Sequence, residues 1–172
     1  MNTKKLLIAA FFIAFSLPGL AQKNDVNKSK ETINDFKKTD SGIDKYFSSA
    51  YGFVVFPGIG KGGLGVGGAA GKGTVFKGGT AIADAKMTQL TIGLQAGGQK
   101  YAEIIFFENK GAYKRFMSNN FEFAAQVSAV ALKSGASADA EYRDGMLIFT
   151  EAIGGLMYEA SIGGQKFKTE LY

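Results

Sequence analysis

The hydrophobic pattern changes period near residue 51. Upstream, residues 23–40 are polar apart from Val26, Ile33 and Phe36, whose spacing predicts a helix with a thin apolar stripe. A second short helix carrying Ile43, Tyr46 and Phe47 is expected, capped by Asp40 or Ser41. Both helices are expected to cover a sheet. From Tyr51 onward the pattern predicts strands over 52–56, 62–70, 73–77, 79–84 and 87–96, with glycine-containing breaks between several of them. In the last of these, Leu90, Ile92 and Leu94 alternate with Gln89, Thr91, Gly93 and Gln95, which predicts that the apolar set forms one buried face. Tyr101 to Phe107 reads as a more fully apolar strand, and Asn109-Lys110-Gly111 opens a helix carrying Tyr113, Phe116 and Met117. Further strands are expected over 121–132, 140–150 and 155–162, although Phe121, Ala124, Ala125 and Val127 to Leu132 also suit a helix. The predicted fold is β-rich α+β: an antiparallel barrel-like or two-layer sheet, helices at the N-terminus and one internal helix.

Within this pattern, Gly58 to Gly73 stands apart, since nine of its sixteen residues are glycine. Strand alternation puts Lys61, Gly63, Gly65, Gly67, Ala69, Gly71 and Gly73 on one almost bare face, with Leu64, Val66 and Ala70 on the other. A bare face admits close approach of a helix or second sheet, or of a ligand or lipid. The run spells G-x-G-x-x-G twice, at Gly58, Gly60, Gly63 and at Gly63, Gly65, Gly68. A dinucleotide site needs a helix to begin there, and each further glycine costs a helix interior about 0.8–1 kcal/mol, so no such helix is expected.

Lys4 and Lys5 precede an apolar stretch from Leu6 to Leu17, then Pro18 and Gly19-Leu20-Ala21. That order predicts a secretory leader over 1–21, hence an exported protein, periplasmic or secreted. Residues 22–42 would form a helical segment and 43–172 one domain. Cysteine is absent, which excludes disulfides, thiol catalysis and thiolate metal sites. Without Lys4 and Lys5 the formal charge falls from +5 to +3, too little to argue for nucleic acid. It is unevenly placed: from Lys45 to Ala83 there is no acid, while Lys45, Lys61, Lys72 and Lys77 all lie in that window.

Histidine is absent as well, which removes the usual general base and the Ser-His-Asp triad. No G-x-S-x-G or S-x-x-K occurs and the acids are scattered as solvated side chains would be, which leaves a carboxylate-based hydrolase as a less favoured alternative, and no cofactor is implied. An outer-membrane barrel fails because Glu170, Lys168 and Lys166 share the face of Tyr172, and each lysine would cost about 2–4 kcal/mol near the bilayer midplane.

Phe53-Val54-Val55-Phe56-Pro57, then Lys61 to Gly68 and Gly71-Lys72-Gly73, resemble the signature of the SYLF domain, also called the Ysc84 actin-binding domain. Ile92 to Gly97 is similar to that family's G-x-Q-x-G strand, and Asn109-Lys110-Gly111 with Phe116 to its N-x-x-G-x-x-x-F helix, so the resemblance runs from about Ile43 to Gly163. It implies a non-enzymatic lipid-binding module, directed to phosphoinositide membranes in eukaryotic relatives and to actin filaments in fungal ones. On that basis the partner expected here is a phospholipid surface, with a protein docked on the glycine-rich face as the alternative. The expected headgroup contacts are Lys61, Lys72 and Lys77, with Phe53 and Phe56 as apolar neighbours. The competing reading makes these lysines solvated residues that discourage strand-to-strand aggregation.

Overall fold

The computed structural model describes residues 25–93, 98–119, 121–122, 129–154 and 164–172. The expected leader over 1–21 and the expected strand over 155–162 lie outside the described residues. Helix α1 (Val26–Thr39) starts where Asp25 accepts hydrogen bonds from the backbone N–H groups of Asn27 and Lys28, at 3.0 and 3.2 Å. Its buried stripe is Ser29, Thr32 and Phe36, flanked by the half-buried Val26 and Ile33. Asp40 then caps a 3₁₀ turn (Ser41–Ile43) that leads into α2 (Asp44–Ser49).

Strand β1 is Gly52–Lys77, 26 residues long. The three strands expected in that interval are therefore one, because the glycines that looked like breaks are strand residues. Its first part pairs with β3 (Gly98–Phe107) and its second with β2 (Thr80–Gly93), both antiparallel. Pro57 falls inside a register shift between Phe56 and Ile59, where its missing N–H removes no ladder bond. The strand doubles back on itself. A Cβ placed on Gly52 would lie 2.9 Å from the carbonyl of Phe76, one on Gly73 2.5 Å from that of Val55, and one on Gly71 2.7 Å from Ile59 Cγ1. The bare positions at 71 and 73 are thus covered by the strand's own first half, and no helix follows the G-x-G-x-x-G motifs.

The β1–β2 turn places Gly78 and Gly79 at φ 55° and 77°, the left-handed pair that tight hairpins require. Helix α3 (Lys110–Met117) is capped by Asn109, which accepts from Ala112 N at 3.0 Å, and buries Ala112 and Phe116. Of the expected strand over 121–132, residues 123–128 lie outside the described residues; Glu122 bridges to Lys166, and β4 (Val130–Ala131) runs parallel to β5 (Met146–Ala152). The strand expected over 140–150 begins only at Met146, since Asp144 and Gly145 turn the chain with φ of 50° and 75°. A last strand, β6 (Gln165–Leu171), pairs with β2.

Among the described residues six strands lie in the order β4-β5-β3-β1-β2-β6, a mixed sheet with N-terminal helices and one internal helix. The α+β expectation holds, and the described residues form no closed barrel. The sheet curls strongly. Gln165 on β6 donates to Glu103 Oε2 on β3 at 3.1 Å and lies 3.4 Å from the Tyr101 hydroxyl, although two strands separate β6 from β3. In a flat sheet they would stand about 14 Å apart. Phe56, Met87, Ile105, Phe107, Phe116 and Phe167 fill the concave side. On the convex side, α1 and α2 cover β1, β3 and β5 through Phe36, Ile43 and Tyr46 packed on Phe53, Phe106 and Phe149.

Candidate functional site

The helices leave the convex side of β2 and β6 exposed. Alternation decides what is presented there. On β2, Ala83, Ala85, Met87 and Gln89 are buried, so Lys86, Thr88 and Leu90 point outward. On β6, Gln165 and Phe167 are buried and Lys166, Lys168 and Glu170 point outward. On β1, Gly71 and Gly73 face Ile59 and Phe56, which turns Lys72 and Thr74 to the convex side. The apolar face expected over 87–96 is thereby corrected at its start: Gln89 is buried and Leu90 is 68% exposed, because the alanines and Met87 upstream fix the parity. Residues 94–96 of that pattern are outside the described residues.

Register then joins the lysines. Lys72 lies directly opposite Lys86, and Lys86 directly opposite Lys168, so three ammonium side chains form one row across β1, β2 and β6. The next row is Ala70, Thr88 and Lys166, and beyond it Leu90 faces Gly68. On the other flank are Thr74, Asp84 and Glu170. Asp84 accepts from the Tyr172 hydroxyl at 2.8 Å, and burial together with that carboxylate pushes the phenol up to about 12. Lys166 meets Glu122 at 3.6 Å. The other ion pairs among the described residues are Lys37–Asp44, Lys38–Asp35 and Arg115–Asp144, so none takes in the row of three. Like charges directly opposite destabilise a sheet, which makes the row a cost to the fold. A cleft of about 410 Å³ runs beside it, with Lys86, Thr88, Phe121, Glu122, Lys166 and Lys168 among its lining residues.

The expected contacts do not all converge. Lys72 belongs to the row. Lys61 is half-buried, pairs with Gln99 and lies in line with Ile59, whose side chain belongs to the concave core. Lys77 sits at the hairpin end with its ammonium 5.1 Å from the Tyr51 ring centre and 5.9 Å from that of Tyr113. Phe53 is buried under the helices, stacked on Phe76 at 5.1 Å, and Phe56 is fully buried in the concave core, 5.8 Å from Phe167. Neither phenylalanine reaches the surface, so both act as packing residues. Sequence reasoning missed Lys86, Lys168 and Leu90. The alternation of Lys166, Lys168 and Glu170 was visible, but only the strand register shows what they stand beside.

Residues 88–170 match the family model for Ysc84, described as Las17-binding protein actin regulator. The Ysc84 match begins within β2 and ends within β6, so it takes in Leu90, Lys166 and Lys168. It does not include the glycine-rich strand on which the resemblance was first read. A relative, beta cell expansion factor A of Aeromonas veronii, is 35% identical over 83 residues, covering 47% of this chain and 32% of that protein. The chain thus matches about a third of that relative's length.

Proposed function

We propose that the chain is a non-enzymatic binding module whose convex lysine row docks on an anionic phospholipid surface. The observation that carries this is the row itself: Lys72, Lys86 and Lys168 are stacked across three strands, with the exposed Leu90 four residues along β2 from Lys86. Such an arrangement is costly in water and favourable against a negative surface, where each lysine contributes about 1 kcal/mol. Leu90 supplies an apolar contact at the headgroup boundary. The Ysc84 match supports a binding module, and among its described lining residues the cleft beside the row carries one carboxylate, Glu122, where a carboxylate hydrolase would use two. Export by the N-terminal leader would bring this surface to a membrane from outside the cytoplasm.

Co-sedimentation with phosphatidylglycerol and phosphatidylcholine vesicles across a salt series tests the reading. Anionic vesicles are expected to retain the protein at low salt and release it as salt rises, and Lys86→Glu with Lys168→Glu is expected to reduce retention at least tenfold. Retention on neither vesicle at low salt sinks the lipid reading and leaves an acidic protein as the partner. Salt-insensitive retention removes the lysines as its cause.

A further inference from the structure

A second cationic feature lies on the same side of the molecule, at the other end of Lys72. A cleft of about 370 Å³ is bounded by the start of α1, the Pro57-Gly58 bend of β1 and the Lys72-Gly73 stretch. Lys28 from α1, Lys72 from β1 and Lys100 from β3 all line it. The one acid among its described lining residues, Asp25, is already engaged by the backbone N–H groups of Asn27 and Lys28. Ser29, at its base, is buried and donates to Thr74 Oγ1 at 3.1 Å. Glycine shapes the floor, because a Cβ on Gly58 would stand 3.0 Å from Lys100 Cε. The bare residue lets the lysine stem lie across β1.

We infer that this cleft holds a single phosphomonoester group. Among the described lining residues, three lysines against one carboxylate give a formal excess of two positive charges. A terminal phosphate carries a matching charge of about −1.5 to −2 near pH 7, where a phosphodiester carries one. Lysine ammonium groups bind such a group as point charges, and the volume lies in the range of about 300–1,000 Å³ typical of small-ligand sites. The flat row selects for negative surface in general. The cleft selects for one doubly charged group, from a lipid headgroup or from a soluble phosphate ester. Where the group is lipid-borne, the inference rests on the membrane reading above.

The test uses protein purified from cells expressing the full-length chain. Vesicles containing phosphatidic acid are compared with phosphatidylglycerol vesicles of equal surface charge, and inorganic pyrophosphate is titrated separately while the backbone amides are followed by NMR. Expected results are at least fivefold tighter binding to phosphatidic acid and pyrophosphate shifts centred on Lys28, Gly58 and Lys100. Lys28→Gln with Lys100→Gln is expected to erase both while leaving phosphatidylglycerol binding within twofold, since neither residue is in the row of three. If no vesicle is bound but pyrophosphate still shifts those amides, the membrane reading fails and the cleft stands with a soluble ligand. Absence of those shifts, or a phosphatidic acid preference that survives the double substitution, overturns the inference.

Discussion

Glu103 is fully buried on the concave side, beside Phe56 on β1 and Thr150 on β5. One carboxyl oxygen accepts from Gln165, while Oε1, the Thr150 hydroxyl and the Gln165 carbonyl oxygen have no hydrogen-bond partner among the described residues. Burial pushes the Glu103 acid up to about 7, against a smaller opposing effect of the Gln165 hydrogen bond. The folded state therefore keeps its proton where the unfolded chain has lost it. Below about pH 4.5 both states are protonated and Glu103 adds no pH dependence. As pH rises to about 7, ionisation favours the unfolded chain, and stability falls by about 3 kcal/mol in all. Urea midpoints at pH 5 and pH 8 should differ accordingly in the native protein, and the Glu103→Gln variant should lose most of that difference. Parallel pH profiles for the two proteins would show that the carboxyl is ionised when folded.

Among the elements, β1 departs most from its sequence pattern, and Gly73 explains why. A side chain there would stand 2.5 Å from a backbone carbonyl and 2.6 Å from the Phe56 ring, neither of which can move cheaply. Gly73→Ala is expected to destabilise by about 1–3 kcal/mol. Gly60→Ala, with nothing within 4 Å of the added methyl, should be neutral or stabilising by up to about 1 kcal/mol. Chemical denaturation of the two variants checks the contrast, and equal losses would refute the packing account. The same doubling back explains what the sequence hid. Alternation identified a bare face, but not that the strand's own first half covers it at Gly71 and Gly73. The helices were legible because Val26, Ile33 and Phe36 have helical spacing and because Asp40 and Asn109 stand where the next two begin; the Asp25 cap of α1 is seen only in the structure. Met146 as the start of β5 was not, since the turn at Asp144-Gly145 looks like more of the same strand. On β2, Leu90 read as core because hydrophobicity was counted without the parity fixed by Ala83, Ala85 and Met87. Of the expected site, Lys72 alone joins the row, because proximity in sequence to glycine does not determine which face a lysine takes.

At the level of the whole molecule, one curled sheet separates two environments, an aromatic interior on its concave side and a lysine band on the convex side that the helices leave open. The edge-protection reading treats the outward lysines as solubilising, the membrane reading as a docking surface kept at a cost to stability. The two differ in a measurable coupling. Lys72 and Lys86 are direct cross-strand neighbours, so their repulsion should appear in a double-mutant cycle of Lys72→Thr, Lys86→Thr and the pair. Each single change is expected to stabilise the fold by about 0.2–1 kcal/mol, with the second adding less than the first, and the coupling should fade in high salt. Binding to anionic vesicles should weaken in the same order as stability rises. A protective role alone predicts a different pattern: aggregation would increase with each substitution while vesicle retention stayed constant. Stability gained and binding lost in the same proteins would mark the row as a functional compromise.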